Sequence, residues 1–115
     1  MQPVTVSTTD ATAGTTYSSK VRMDSWASPV SILQVNVVGT ATYTVETSMD
    51  DPNDPTYPTP EVAMVWINCA DSAVVSKSAS AQGVLVATPT YVRLKQTAGN
   101  GSCTMTIAQF SNAPY

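Results

Sequence analysis

Few residues in this chain could do chemistry, and their spacing argues against most reactions. None of the 115 residues is histidine. The usual source of a proton affinity near neutrality is therefore missing, and with it acid–base relays of the triad kind. Cys69 and Cys103 have no histidine or close second cysteine beside them, which a metal site or an activated thiolate would need. What remains is a carboxylate group: Asp50, Asp51 and Asp54, with Asn53 among them. Acid and base roles require one carboxyl to be desolvated and another left ionised. These three share one exposed, proline-studded stretch and the same surroundings. Their oxygens have the close spacing of a calcium loop, but no glycine turn or distal glutamate stands at matching positions. The plainer reading is that they start turns and solvate a loop. The expectation is a protein that is not an enzyme and holds no cofactor or metal.

The elements that would position any site are strands. Hydrophobic residues make up 43% of the chain and charged residues only 11%, with Ser and Thr filling the polar positions. Soluble domains usually carry about 25% charged residues, so the surface is weakly charged and suited to assembly. Residues 3–7 and 20–23 read as short strands in a polar opening region, residues 1–29, that is also compatible with an N-terminal arm. In residues 30–37, Leu33, Val35 and Val37 alternate with Gln34 and Asn36. After Gly39, Ala41, Tyr43 and Val45 alternate with Thr42, Thr44 and Glu46, so the pair reads as a hairpin. Pro52, Pro55, Pro58 and Pro60 exclude both helix and inner strand from residues 49–60, leaving a stiff exposed loop. Residues 61–69 are apolar on both faces, which predicts a central strand covered twice, with Trp66 as core anchor. Residues 73–80 read as a strand, Gln82-Gly83 as a turn and residues 84–87 as another short strand. Residues 90–96 and 102–110 alternate around Val92 and Leu94 and around Cys103, Met105 and Ile107, joined by Gly99-Asn100-Gly101. Trp26 must cap the core or face a partner, and the core is the favoured reading.

No segment has helical periodicity. The prediction is one all-β domain, residues 1–115: an antiparallel β-sandwich or small barrel of about six to eight strands with a proline-rich loop insertion. The net charge of −3, the pI near 4.4 and the scattering of Lys20, Arg22, Lys77, Arg93 and Lys95 argue against nucleic acid. Met1 to Ser7 has no signal-peptide pattern and no stretch is long enough to span a bilayer, so neither export by that route nor membrane insertion is expected. Without such a signal, Cys69 and Cys103 are expected as buried thiols in preference to a disulfide. A carbohydrate-binding sandwich is an alternative, with Trp26, Tyr57, Tyr91 and Tyr115 as stacking platforms, though aromatics total only 7%.

Two runs carry a family resemblance. Ala41-Thr-Tyr-Thr-Val-Glu-Thr-Ser-Met-Asp-Asp-Pro leading on to Trp66-Ile-Asn, and Tyr91-Val-Arg-Leu-Lys-Gln-Thr-Ala-Gly-Asn-Gly followed by Ser102-Cys-Thr-Met-Thr-Ile-Ala-Gln, resemble small virion structural proteins of tailed bacteriophages. The likeness covers about the last two thirds of the chain. It departs from the pattern in the longer proline-rich segment after Pro52 and in the Thr-rich start. It implies a decoration or cement protein on the outer capsid surface, bound to the major capsid protein, often as a trimer, with a tail or head–tail connector component as the alternative. Given that role, the partner contacts are expected from the opening region and the proline-rich loop: Pro3, Val4, Trp26, Pro52, Tyr57 and Pro58.

Overall fold

Period-two alternation of apolar and hydroxyl-bearing residues gives each strand one face for a core and one for solvent. The computed structural model describes residues 3–23, 31–85 and 89–109, and in these the alternating runs build two antiparallel sheets. The strands are β1 (Val4–Thr9), β2 (Thr16–Tyr17), β3 (Val21–Arg22), β4 (Ser31–Val38), β5 (Thr42–Ser48), β6 (Ile67–Asn68), β7 (Ala81–Leu85), β8 (Tyr91–Ala98) and β9 (Ser102–Gln109). One sheet has the order β1-β9-β4-β7. The other is built on the β5–β8 pair, with β6 on the far side of β5 and both β2 and β3 along the free side of β8. Leu33, Val35, Met105 and Ile107 from the first sheet meet Tyr43, Val45, Val92 and Leu94 from the second in one core. The expected sandwich is therefore the observed fold, and both cysteines are free and buried.

The expected hairpin of residues 30–47 is not one. β4 pairs with β7 and β9, whereas β5 pairs with β6 and β8, so the chain crosses from one sheet to the other at Gly39. Gly99-Asn100-Gly101 makes the return crossing from β8 to β9. Alternation alone cannot separate a hairpin from such a crossing, because both bury the same residues. The glycines serve close approach. A Cβ on Gly99 would lie 2.1 Å from the Thr40 carbonyl oxygen, and one on Gly101 would lie 2.4 Å from that of Val38. The two crossings touch, and the Gly101 N–H donates to the Thr40 carbonyl at 2.8 Å.

Gln96 locks this corner. Its side chain is fully buried. It accepts at Oε1 from the Thr8 hydroxyl of β1 (2.8 Å) and donates from Nε2 to the carbonyls of Gly99 (3.2 Å) and Gly101 (3.0 Å). One amide thus ties both sheets to the crossing.

Residues 61–69 also depart from expectation. They form a 3-10 turn, Glu61–Ala63, and the two-residue edge strand β6, and Val62 is 98% exposed. Pro60 precedes the turn, and the Val65 N–H donates to the Asp50 carboxylate at 2.6 Å, so the segment is tied to the proline-rich loop instead of to a second strand. Trp66 is half-buried and not a core anchor. Residues 73–80 are likewise not a strand. A 3-10 turn, Ser72–Val74, is capped by Asp71 and buries Val74, and a single bridge then joins Lys77 to Tyr43. Gln82-Gly83 lies inside β7, where the bare glycine makes room for Val74: a Cβ there would come within 3.1 Å of it. In the opening region, where an arm was one expectation, residues 4–9, 16–17 and 21–22 are strands of the two sheets. Trp26, Phe110 and Tyr115 lie outside the described residues.

Candidate functional site

Every charged residue that lies in a described strand belongs to the second sheet. None of the strands of the first sheet, β1, β9, β4 and β7, contains a charged residue. On the second sheet Lys20 pairs with Glu61, Arg22 with Asp51 at 2.8 Å, and Arg93 and Lys95 both with Glu46 at 2.8 and 3.7 Å. Four of the five cations scattered in sequence thus meet a carboxylate in space, Arg93 and Lys95 sharing Glu46. Arg93 lies 4.1 Å from the ring centres of both Tyr17 and Trp66. Such stacking is worth about 0.5–2 kcal/mol per ring, and Trp66 engages Arg93 instead of the core.

The outer face of the first sheet is a plane of hydroxyls and amides. Thr5, Ser7 and Thr9 stand beside Thr106, Thr104 and Ser102, with the Thr5 and Thr106 hydroxyls 3.1 Å apart. A shallow groove of about 520 Å³ runs across this face, lined by Gln34, Asn36, Ser80, Gln82, Thr104 and Thr106.

The proline-rich loop is ordered by its own carboxylates. Asp51 accepts from the Asn53 N–H at 2.9 Å, and Asp54 accepts from the Thr56 and Tyr57 N–H groups at 2.8 and 2.9 Å. Those bonds favour the charged form. Asp54 is held below the usual carboxylate range by Tyr57 and Thr56, and Asp51 by Asn53 and then by Arg22. Oδ1 of each is committed to the loop itself, and Oδ2 of Asp51 to Arg22. Among the described residues no group of three or more His, Cys, Asp or Glu side chains converges as metal ligands would.

Fixing this loop presents apolar surface. Of the nine large hydrophobic side chains exposed among the described residues, five fall between Met49 and Ile67: Met49, Tyr57, Val62, Val65 and Ile67. Tyr57 is 83% exposed and lines a cleft with Met49, Asp51 and Arg22. Of the residues expected at a partner surface, Tyr57 and Pro58 are exposed in this segment, with Pro52 half-buried nearby. Pro3 is exposed at the other end of the fold's chain order. Val4 is half-buried and packs against the core, and Trp26 lies outside the described residues. Val62, Val65 and Ile67 escape sequence reasoning, because apolar residues on both faces read as a buried strand. The adjacent Pro60 was the available signal that no strand begins there. Of the aromatics considered as sugar platforms, Tyr91 is buried beneath Lys20 and Arg22, and Tyr57 is exposed.

Comparison with protein-family models, with curated proteins and with solved structures returns no match.

Proposed function

We propose that this chain is a non-enzymatic virion structural protein, a decoration protein that seats on the outer surface of a shell of major capsid protein and strengthens it. The observation that carries the reading is the concentration of exposed apolar side chains on the Met49–Ile67 segment, which carboxylate-anchored turns hold in place. Solvated loops are normally polar, and an apolar loop held in one shape loses little entropy on docking. The resemblance of the two quoted runs to phage virion proteins supports the choice of partner. Many copies on a lattice would make modest contacts sufficient.

Co-sedimentation with purified shells tests the proposal. The full chain should pellet with shells at high copy number, whereas Tyr57→Ala with Val62→Asp should stay in the supernatant while melting at the same temperature. A double variant that binds as well as the parent would refute the docking surface, and ring-like low copy number would favour a connector.

A second reading rests on the amide- and hydroxyl-lined groove of the first sheet, whose uncharged donors and acceptors suit a neutral polyol. Retention on a glycan array, abolished by Gln34→Ala with Gln82→Ala, would favour it over the capsid.

A further inference from the structure

Unpaired sheet edges are templates for further strands unless something blocks them. This sandwich blocks three of its four. β6 is only two residues long, and β2 and β3 are two residues each. The β7 edge is capped by Asp71, whose carboxylate accepts from the Val84 N–H at 2.9 Å and from the Ala73 N–H at 3.0 Å. The fourth edge is β1. It runs six residues, pairs only with β9 among the described residues, and contains no proline, charge or register shift between Val4 and Thr9.

The pairing pattern shows which groups this edge offers. The Asp10 N–H donates to the Gly101 carbonyl at 3.1 Å, one step beyond the register that pairs Thr9 with Ser102. Antiparallel pairs alternate between hydrogen-bonded and non-hydrogen-bonded. Val4, Val6 and Thr8 therefore bond to β9, and the N–H and C=O groups of Thr5, Ser7 and Thr9 point away from it. The close approach of the Thr5 and Thr106 hydroxyls, 3.1 Å apart, fits a non-hydrogen-bonded pair.

We propose that β1 pairs antiparallel with β1 of a second copy of this chain, about a two-fold axis at Ser7, joining the two four-stranded sheets into one. With Ser7 opposite Ser7 of the second copy and Thr5 opposite its Thr9, every outward-pointing group finds a partner, and each facing pair exchanges two N–H···O=C bonds. The occupant is a second copy for two reasons. The row is self-complementary under a two-fold, and the head-to-tail alternative, β1 on β7, meets the Asp71 cap, so the assembly closes at two instead of growing into a filament. Charge does not oppose it: although the chain carries −3, no residue in the four strands of this sheet is charged. This inference is independent of what the Met49–Ile67 segment binds, and it predicts a pair where the family resemblance implies a trimer.

Sedimentation velocity on the full chain over a range of concentrations tests it. The expected species has twice the 12.1 kDa mass of the chain. Ser7→Lys, an exposed position, should weaken association by up to about five-fold by setting two like charges face to face. An equimolar mixture of the Ser7→Lys and Ser7→Glu variants should restore the pair. Gln34→Lys, on the same face but two strands inward, should leave it intact. A monomer at all concentrations, a trimer, or a dimer indifferent to Ser7→Lys would overturn the proposal.

Discussion

Replacing Gln96 with leucine keeps side-chain volume nearly constant and removes only the polar staple between the sheets. Three hydrogen bonds disappear, to Thr8, Gly99 and Gly101. The two carbonyls each keep one backbone donor, from Ala11 and Asp10, but the Thr8 hydroxyl is 4% exposed at residue level and loses the acceptor at 2.8 Å. Buried hydrogen bonds contribute about 0.5–1.5 kcal/mol each, and an orphaned buried hydroxyl costs about 1–3 kcal/mol. Burying leucine in place of an amide offsets part of this, which leaves a net loss of about 2–4 kcal/mol. For a domain of this size that corresponds to a fall in melting temperature of roughly 10 °C. Urea denaturation followed by far-UV circular dichroism reads it directly. Thr8→Val alone should cost less, and Thr8→Val with Gln96→Leu should cost at least about 1 kcal/mol less than the two single losses added together, because the double variant orphans neither partner. A Gln96→Leu protein within about 0.5 kcal/mol of the parent, or strictly additive losses, would show that the corner is held by something other than this amide.

Gly99→Ala should be among the most damaging single substitutions. The residue has φ +96° and its new Cβ would meet the Thr40 carbonyl oxygen at 2.1 Å; soluble expression and the thermal midpoint should both fall sharply, whereas Gly14→Ala, with open space around it, should cost about 1 kcal/mol. Acid should destabilise the fold. Asp51, Asp54 and Asp71 titrate below their ordinary 3.8 in the folded chain because N–H groups bond their carboxylates. The unfolded chain therefore takes up those protons first, and stability that is complete above about pH 4 is lost as pH falls through the folded values. Denaturation midpoints across pH 2–7 check this, and a midpoint that rises towards pH 2 would contradict it. Burial pushes the thiols of Cys69 and Cys103 up from 9.0, so a thiol reagent at pH 8 should label neither in the native protein and both in denaturant.

The sequence made the sandwich and its strongest strands legible, because alternation in residues 31–38, 91–98 and 102–109 reports burial directly. It did not show which strands pair. Gly39 and Gly99 look like hairpin turns but are places where two sheet crossings touch, a close approach that exists only in three dimensions. The apolar run from Val62 to Ile67 misled for a related reason: hydrophobicity on both faces signals either double burial or deliberate exposure, and sequence periodicity is the same for both. Tyr57 and Pro58 are legible because four prolines in close succession keep residues 49–60 out of helix and inner strand, although Pro52 shows that a single proline does not guarantee exposure. The charge-free sheet face was hinted at by composition, but its separation from the paired charges on the opposite sheet follows only from strand order.

The most direct measurement for the central claim is a cryo-electron microscopy reconstruction of phage particles assembled in the presence of the protein. Density for a two-layered β domain repeated over the outside of the shell, with the Met49–Ile67 segment turned towards the capsid protein, is the outcome the proposed function predicts. Particles that lack the domain, or that hold it only at a tail or a single vertex, would contradict it.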